Sequence, residues 1–206
     1  MCFARSLAFA ALLPAACALG QSQPKPVLKQ YERQDPTNRE DKSCRSGYRR
    51  GVAASKLTVF NTREVVYESV EHTFCDGDPV RLPPRGTEWD FQPSQASTFR
   101  YMLSIDDYGR LIRFLDRPEI KAVDGFMNAA PAGVGDFKIF IYRGSRVQEV
   151  GVLALMPNHL QFEKDPSLLH LVCKAKEMAE VASFGGAARP DWCLTLKPLP
   201  DPSPGL

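Results

Sequence analysis

The sequence predicts an α+β domain: an antiparallel sheet of about five strands, in the order β-β-β-α-α-β-β-α, with helices packed on one face. Two pairs of strand-like runs are separated by short turns, at residues 61–63 and 143–146, and hairpins of this kind require antiparallel pairing. Three other segments carry apolar residues at helical spacing. Amphipathic helices of this type bury their apolar stripe against a sheet.

The first three predicted strands cover residues 57–60, 64–74 and 98–103. The second run is rich in Val and Tyr, which favour strands. In the third run, aromatic and aliphatic residues alternate from Phe99 to Leu103 and therefore share one face. We expect these three strands to precede the first helix.

Two helices are predicted next, one starting at Ser104 and one running from Pro118 through Met127. Asp107 follows Ser104 at a spacing that resembles a capping box. Pro118 cannot continue the first helix, but it can begin a second one. The predicted buried positions of the two helices are Ile105, Tyr108, Ile112, Leu115, Ile120, Val123 and Met127.

A second hairpin and a last helix complete the predicted domain. The hairpin strands cover residues 136–142 and 147–155, and the helix covers 166–183. Asp165 is a suitable N-cap and Pro166 a suitable first-turn residue. The apolar stripe predicted to be buried consists of Leu168, Leu171, Val172, Ala175, Met178 and Ala182.

Residues 1–20 have the pattern of a cleaved signal peptide. Arg5 precedes an apolar run over residues 7–19, and small residues follow it. The run is too short to span a bilayer and fits the apolar region of a secretory signal. We therefore expect cleavage after Gly20 and a secreted or periplasmic protein. A lipoprotein anchored through Cys17 is the alternative, although Pro14 stands where a lipidation motif has an aliphatic residue.

The remaining chain divides into a polar tether over residues 21–55, one domain over 56–184 and a Pro-rich tail over 185–206. Both flanks lack apolar periodicity and contain several prolines, which oppose regular structure. The mature chain is long enough for a single domain with a substantial core.

Charge and hydropathy exclude two classes of partner. The chain has 26 basic and 24 acidic residues, a net charge of +2. Nucleic-acid binding without sequence preference requires a strongly basic face, so we predict no nucleic-acid partner. Beyond the signal, no run reaches the roughly 18 apolar residues of a spanning helix, so we predict no transmembrane span.

Four cysteines remain after cleavage: Cys44, Cys75, Cys173 and Cys193. An even number in an oxidising compartment predicts two disulfide bonds. Four cysteines allow three pairings, and sequence alone does not choose among them. The flanks otherwise have nothing to hold them, so the favoured pairs are Cys44 with Cys193 and Cys75 with Cys173.

Two His-x-x-Cys pairs, His72 with Cys75 and His170 with Cys173, form the pattern closest to a metal site. Zinc binds such ligands in a tetrahedron. Residues three apart share a face on a helix but not on a strand, and export favours disulfides over metal binding. The acidic turn at 76–79 supplies too few oxygens for calcium. We predict no metal and no cofactor.

The predicted binding surface is the loop over residues 75–97. Structureless loops beyond about 12–15 residues are uncommon in compact domains and are usually functional or disordered. This loop carries Trp89, Phe91, Arg81 and Arg85, and Trp and Arg are frequent anchors of protein interfaces. The alternative is that both aromatic rings fold back and fill the core.

The predicted function is that of an exported, non-enzymatic binding module that contacts a protein or a cell-envelope polymer, with an inhibitor-like protein as one form. No catalytic motif is present. An extracytoplasmic hydrolase stays open, and a histidine (His72, His159 or His170) bonded to a Ser or Asp in a pocket would favour it. An envelope structural lipoprotein is the third possibility, which lipidation of Cys17 would support.

Overall fold

The computed structural model describes residues 23–33, 37–76, 97–123, 125–128, 136–153, 166–187 and 189–199. Its eight strands are β1 (Pro26–Arg33), β2 (Thr37–Glu40), β3 (Tyr48–Phe60), β4 (Glu64–Cys75), β5 (Ser97–Met102), β6 (Gly125–Asn128), β7 (Asp136–Arg143) and β8 (Arg146–Leu153). Its helices are α1 (Ile105–Leu115), α2 (Pro118–Lys121), α3 (Pro166–Ala182) and α4 (Asp191–Leu194). The predicted α+β class is confirmed.

The strands form one sheet in the order β5-β4-β3-β1-β7-β8-β6, and β2 pairs with β3 beside β1. Neighbouring strands are antiparallel, except that β6 pairs with β8 in parallel. Both predicted hairpins are present, as β3–β4 and β7–β8. The five predicted strands are therefore found, and three more join them.

The predicted tether over residues 21–55 is wrong for most of its length. Strand β1 lies in the middle of the sheet, between β3 and β7, and β2 and the first half of β3 also belong to the sheet. The alternation of β1 is hard to read because Gln30 and Glu32 occupy inward positions beside Leu28. The first described strand of the sheet thus begins at Pro26, inside the segment predicted as a tether.

The second predicted helix is also shorter than expected, because α2 ends at Lys121 and β6 begins at Gly125. Glycine is a poor helix former. The side-chain amide of Gln148, on β8, donates to the carbonyls of Ile120, at 2.9 Å, and of Val123. The Ile120 carbonyl also accepts from the Val123 N–H at 3.3 Å. The Gln148 bonds therefore tie the end of α2 and the residues after it to the second hairpin.

Helix α1 begins as predicted, but a different set of its residues is buried. Ser104 is the N-cap, and its hydroxyl accepts from the Asp107 N–H at 3.0 Å. Leu111 and Leu115 are buried, whereas Ile105 is 75 % exposed. Leu111 and Ile112 are adjacent apolar residues, so either could have faced the core. In the structure, the helix face that contains Leu111 packs against the core.

Helix α3 buries every residue predicted for it, together with Ser167 and Ala179. It packs on β3, β4, β5 and α2. Its apolar residues share one core with those of α1, α2 and the sheet, among them Leu28, Leu57 and Ile139. The prediction of helices over one face of the sheet agrees with this common core.

The two predicted disulfides are present, but the predicted pairing is wrong. Cys44 bonds to Cys75, with a Cα–Cα distance of 5.3 Å, and Cys173 bonds to Cys193, at 5.4 Å. Cys44 lies in the turn before β3, and Arg49 on that strand is paired with Cys75. Each bond therefore joins neighbouring elements. Both His-x-x-Cys sulfurs are oxidised, so neither is available as a zinc ligand.

Residues 195–199 have no helix or strand, as predicted for a Pro-rich segment, but part of the 189–199 segment packs against the domain. One turn of helix, α4, carries Cys193, which is bonded to α3. Trp192 and Leu199 pack against the core, while Leu194 is 64 % exposed. The disulfide and these two apolar contacts hold the segment in place.

Helix α3 ends in a Schellman motif. The N–H of Phe184 donates to the carbonyl of Val181, and the N–H of Gly185 donates to that of Glu180. Phe184 takes the left-handed position, with φ +54°, where glycine is usual. Such a backbone costs an L-residue about 1–2 kcal/mol. Gly185 is the second residue of the motif and also has a positive φ, +89°.

We expect Phe184→Gly to be more stable than Phe184→Ala by about 1 kcal/mol, because only glycine relieves the left-handed strain. Both variants remove the edge-to-face contact with Tyr101, whose ring centroid lies 6.4 Å away, so their difference isolates the backbone effect. Urea unfolding of both variants measures it. Equal midpoints would contradict the assigned backbone conformation.

Candidate functional site

A cavity among the described residues lies between α3 and the part of the sheet formed by β3, β4 and β5. Its volume is about 680 Å³, within the usual range for ligand sites of about 300–1,000 Å³. Serines Ser55, Ser69 and Ser97 line it, together with Glu32 and Lys176. We call this cavity the serine cleft.

The three serines form one row across the sheet. Ser97 on β5 is paired with Ser69 on β4, and Ser69 is paired with Ser55 on β3. Ser55 is paired in turn with Glu32 on β1. Cross-strand partners point to the same face, so these side chains lie side by side on the floor of the serine cleft.

The next row of the sheet, two residues along each strand, is mostly apolar. It contains the cross-strand partners Phe99, Tyr67 and Leu57, and Gln30 on β1 is the next residue of the row. Leu57 and Tyr67 belong to the core. Because serine side chains are much smaller than those of the neighbouring row, a space remains above them. Helix α3 covers this space but does not fill it. A well-packed interior has few such voids.

An ion pair closes one side of the serine cleft. The Lys176 ammonium, from α3, contacts the Glu32 carboxylate, and their side chains are 11 % and 14 % exposed. The same ammonium lies 5.4 Å from the centre of the Phe137 ring. Gln30, which is buried, donates its Nε2 to Glu32 at 3.4 Å. Both charges therefore have partners within the protein.

Tyr67 and Ser55 add a hydrogen-bonded pair of hydroxyls. Burial raises the pKa of the Tyr67 phenol, and the hydrogen bond to Ser55 only partly offsets this. Tyr67 therefore stays a neutral hydroxyl at ordinary pH. Its ring lies 6.4 Å from that of Phe99, another lining residue.

Aromatic side chains also adjoin the serine cleft beyond its lining. Phe184 follows the lining residue Ser183, and Tyr101 lies two residues beyond Phe99 on the same face of β5. Phe184 is 76 % exposed. A strained, exposed aromatic residue beside a cavity is a feature more typical of functional sites than of packing.

A second cavity, of about 310 Å³, lies beside the Cys173–Cys193 disulfide. Three basic residues line it, Arg117, Lys174 and Arg189. Each is paired with a glutamate. These pairs neutralise the lining, so the cavity does not present a free positive cluster.

His170 lines this second cavity rather than the serine cleft. Burial lowers its pKa, and a hydrogen bond to the backbone of Lys197 opposes that shift. Its partner is thus a backbone group and not a Ser or Asp. Of the other candidate bases, His159 lies outside the described residues, and for His72 the structure describes the backbone alone.

The binding residues predicted from sequence, Trp89, Phe91, Arg81 and Arg85, all lie outside the described residues. The predicted contact loop stays a prediction. The serine cleft was not predicted, although three strands carried a common signal. In each strand, the alternate residues that face inward are two large side chains and one serine. The patterns are Ser55-x-Leu-x-Val in β3, Val-x-Tyr-x-Ser69 in β4 and Ser97-x-Phe-x-Tyr in β5. Only the register of the strands shows that the three serines lie side by side.

No protein-family model matches the chain. No curated protein matches it at a significant level. Within the described ranges, no helix is long and apolar enough to cross a membrane.

Proposed function

We propose that this chain is an exported, non-enzymatic binding protein that holds its ligand in the serine cleft. The observation that carries the proposal is the row of hydroxyls from Ser55, Ser69 and Ser97 on the floor of a 680 Å³ cavity. A concave site with a few convergent polar groups is the usual form of a ligand pocket.

Export is supported by the first twenty residues and by the two disulfide bonds. Disulfides persist in oxidising compartments and are rare in the cytosol. A cell-envelope polymer or another protein would be a partner suited to this compartment. In the sequence, Trp89 and Phe91 precede Ser97, which lines the serine cleft.

A binding role is favoured over hydrolysis by the partners of the polar groups. Nucleophilic catalysis by serine requires a base within hydrogen-bond reach. The lining contains no histidine among the described residues. The carboxylate in the lining belongs to Glu32, and it is bound by Lys176 and Gln30. Tyr67 bonds to Ser55 as a neutral hydroxyl.

We expect Ser69→Leu to keep or raise stability and to abolish ligand retention, because leucine fills a cavity that the native fold leaves open. Protein collected from its native extracytoplasmic fraction is denatured, and the released small molecules are compared by mass spectrometry. Thr98→Leu is the matched control, since Thr98 is exposed and lies next to Ser97 on the opposite face of β5. The intact mass of the same sample tests a mature start at Gln21.

The proposal fails if wild type and Ser69→Leu release the same compounds, or if neither releases any. A loss of stability in Ser69→Leu would show that the serines fill a structural role. A compound retained by wild type and Thr98→Leu, but not by Ser69→Leu, supports the serine cleft as the binding site.

A further inference from the structure

We propose that the ligand of the serine cleft is a neutral saccharide. This inference rests on the proposed function and adds the chemical class of the ligand. It follows from three properties of the lining, namely its charge, its hydroxyl row and its apolar wall.

The first property is that the positive and negative side chains of the lining are already paired with each other. Glu32 and Lys176 are the charged side chains among the described lining residues, and they are paired with each other. A charged ligand would have to leave water without finding a free counter-charge, which is unfavourable. It could gain one only by breaking a shielded ion pair, which is costly. A neutral ligand meets neither penalty.

The second property is a set of neutral hydroxyls on a rigid floor. Ser69 is half-buried and Ser97 is exposed, so both can reach a ligand. A hydroxyl donates one hydrogen bond and accepts others. The row places such groups about 5 Å apart, the separation between neighbouring strands. A ligand with several hydroxyls of its own can match such a row at more than one point.

The third property is an apolar wall beside the hydroxyls. The Phe99 ring and the methyl groups of Ala179 and Ala187 line the same cavity. Aromatic rings offer a large apolar surface. A sugar ring presents C–H groups on its faces and hydroxyls at its edge, so it can contact both parts of the lining at once.

A peptide segment fits the same lining less well. Extended peptides usually gain affinity by adding a strand to a sheet edge. The floor of the serine cleft is a sheet face, whereas the edge open to strand addition is the outer side of β5; β4 is already paired on both sides, with β3 and β5. Its backbone groups are thus occupied, and side-chain hydroxyls are what the floor presents.

The test uses the intact mature protein, with both disulfides formed, on an array of defined neutral, acidic and basic oligosaccharides. Cellobiose, maltose and N,N′-diacetylchitobiose, titrated by calorimetry at millimolar concentration, are the neutral solution probes. We expect binding to neutral members, weakened about tenfold or more by Ser69→Ala/Ser97→Ala, which removes two hydrogen-bonding groups. Thr98→Ala and Ser104→Ala, whose hydroxyls lie outside the lining, are the controls and should bind as wild type does.

Preferential binding of acidic or basic oligosaccharides would overturn the inference, as would neutral binding that the double serine variant leaves unchanged. Its failure can be told from failure of the proposed function. If wild type retains a native compound that Ser69→Leu loses and that compound is not a saccharide, the cleft binds a ligand of another class. If no compound is retained and no saccharide binds, both proposals fall.

Discussion

Lys176→Met lowers the free energy of unfolding by about 3–5 kcal/mol, the cost of removing one partner from a buried ion pair. The loss comes from Glu32, which lies in the sheet centre and would keep a shielded charge without its counter-charge. Contact with the Phe137 ring is lost as well. Urea unfolding at neutral pH measures the change.

Lys174→Met is the matched control, because Lys174 is on the same helix and pairs with Glu177 at more exposed positions, 26 % and 33 %. Ion pairs near the surface contribute about 0–1 kcal/mol. The double variant Glu32→Gln/Lys176→Met should recover most of the loss, since it leaves no unpaired charge. Equal costs for the two lysine variants would contradict the burial of the Glu32–Lys176 pair.

Removing Cys44 and Cys75 together, as alanines, lowers the free energy of unfolding by about 3–4 kcal/mol. The bond joins residues 31 positions apart, and loop-closure entropy for that length predicts a loss of this size. Cys173→Ala/Cys193→Ala, with a separation of 20, should lose about 3 kcal/mol. Denaturant unfolding of each oxidised variant provides the comparison.

The same variants distinguish the observed pairing from the one that sequence favoured. With the observed pairs, each double variant removes a whole disulfide, so thiol titration under denaturant should find no free thiol. With the crossed pairs, each double variant would leave two cysteines without their partners. Two titratable thiols in Cys44→Ala/Cys75→Ala would therefore refute the connectivity.

The serine cleft shows why some candidate site residues cannot be recognised from the sequence. Ser97 begins β5, but Ser55 and Ser69 lie in the interior of β3 and β4, and a single serine inside a strand carries no functional signal by itself. Their meaning depends on the register that places them side by side. Glu32 belongs to a segment that charge and proline content had assigned to a tether.

The disulfides show the same dependence on distance in space. Counting the cysteines that follow the predicted signal peptide predicted two bonds, which the structure contains. The preferred pairs assumed that both flanks were loose and needed each other. The first flank is instead held in the sheet by β1, and the second is held by α3, so each cysteine had a nearer partner.

The sequence by itself determined the α+β class, both hairpins, the start of α1 and the buried face of α3. These features follow from local periodicity, turn residues and capping, which act between residues close in the chain. Only the tertiary structure decided the central place of β1, the end of α2 at Lys121, the disulfide pairs and the serine cleft. Each of these depends on contacts between distant segments, because polar residues such as Gln30 take inward positions only when neighbouring strands and a covering helix surround them.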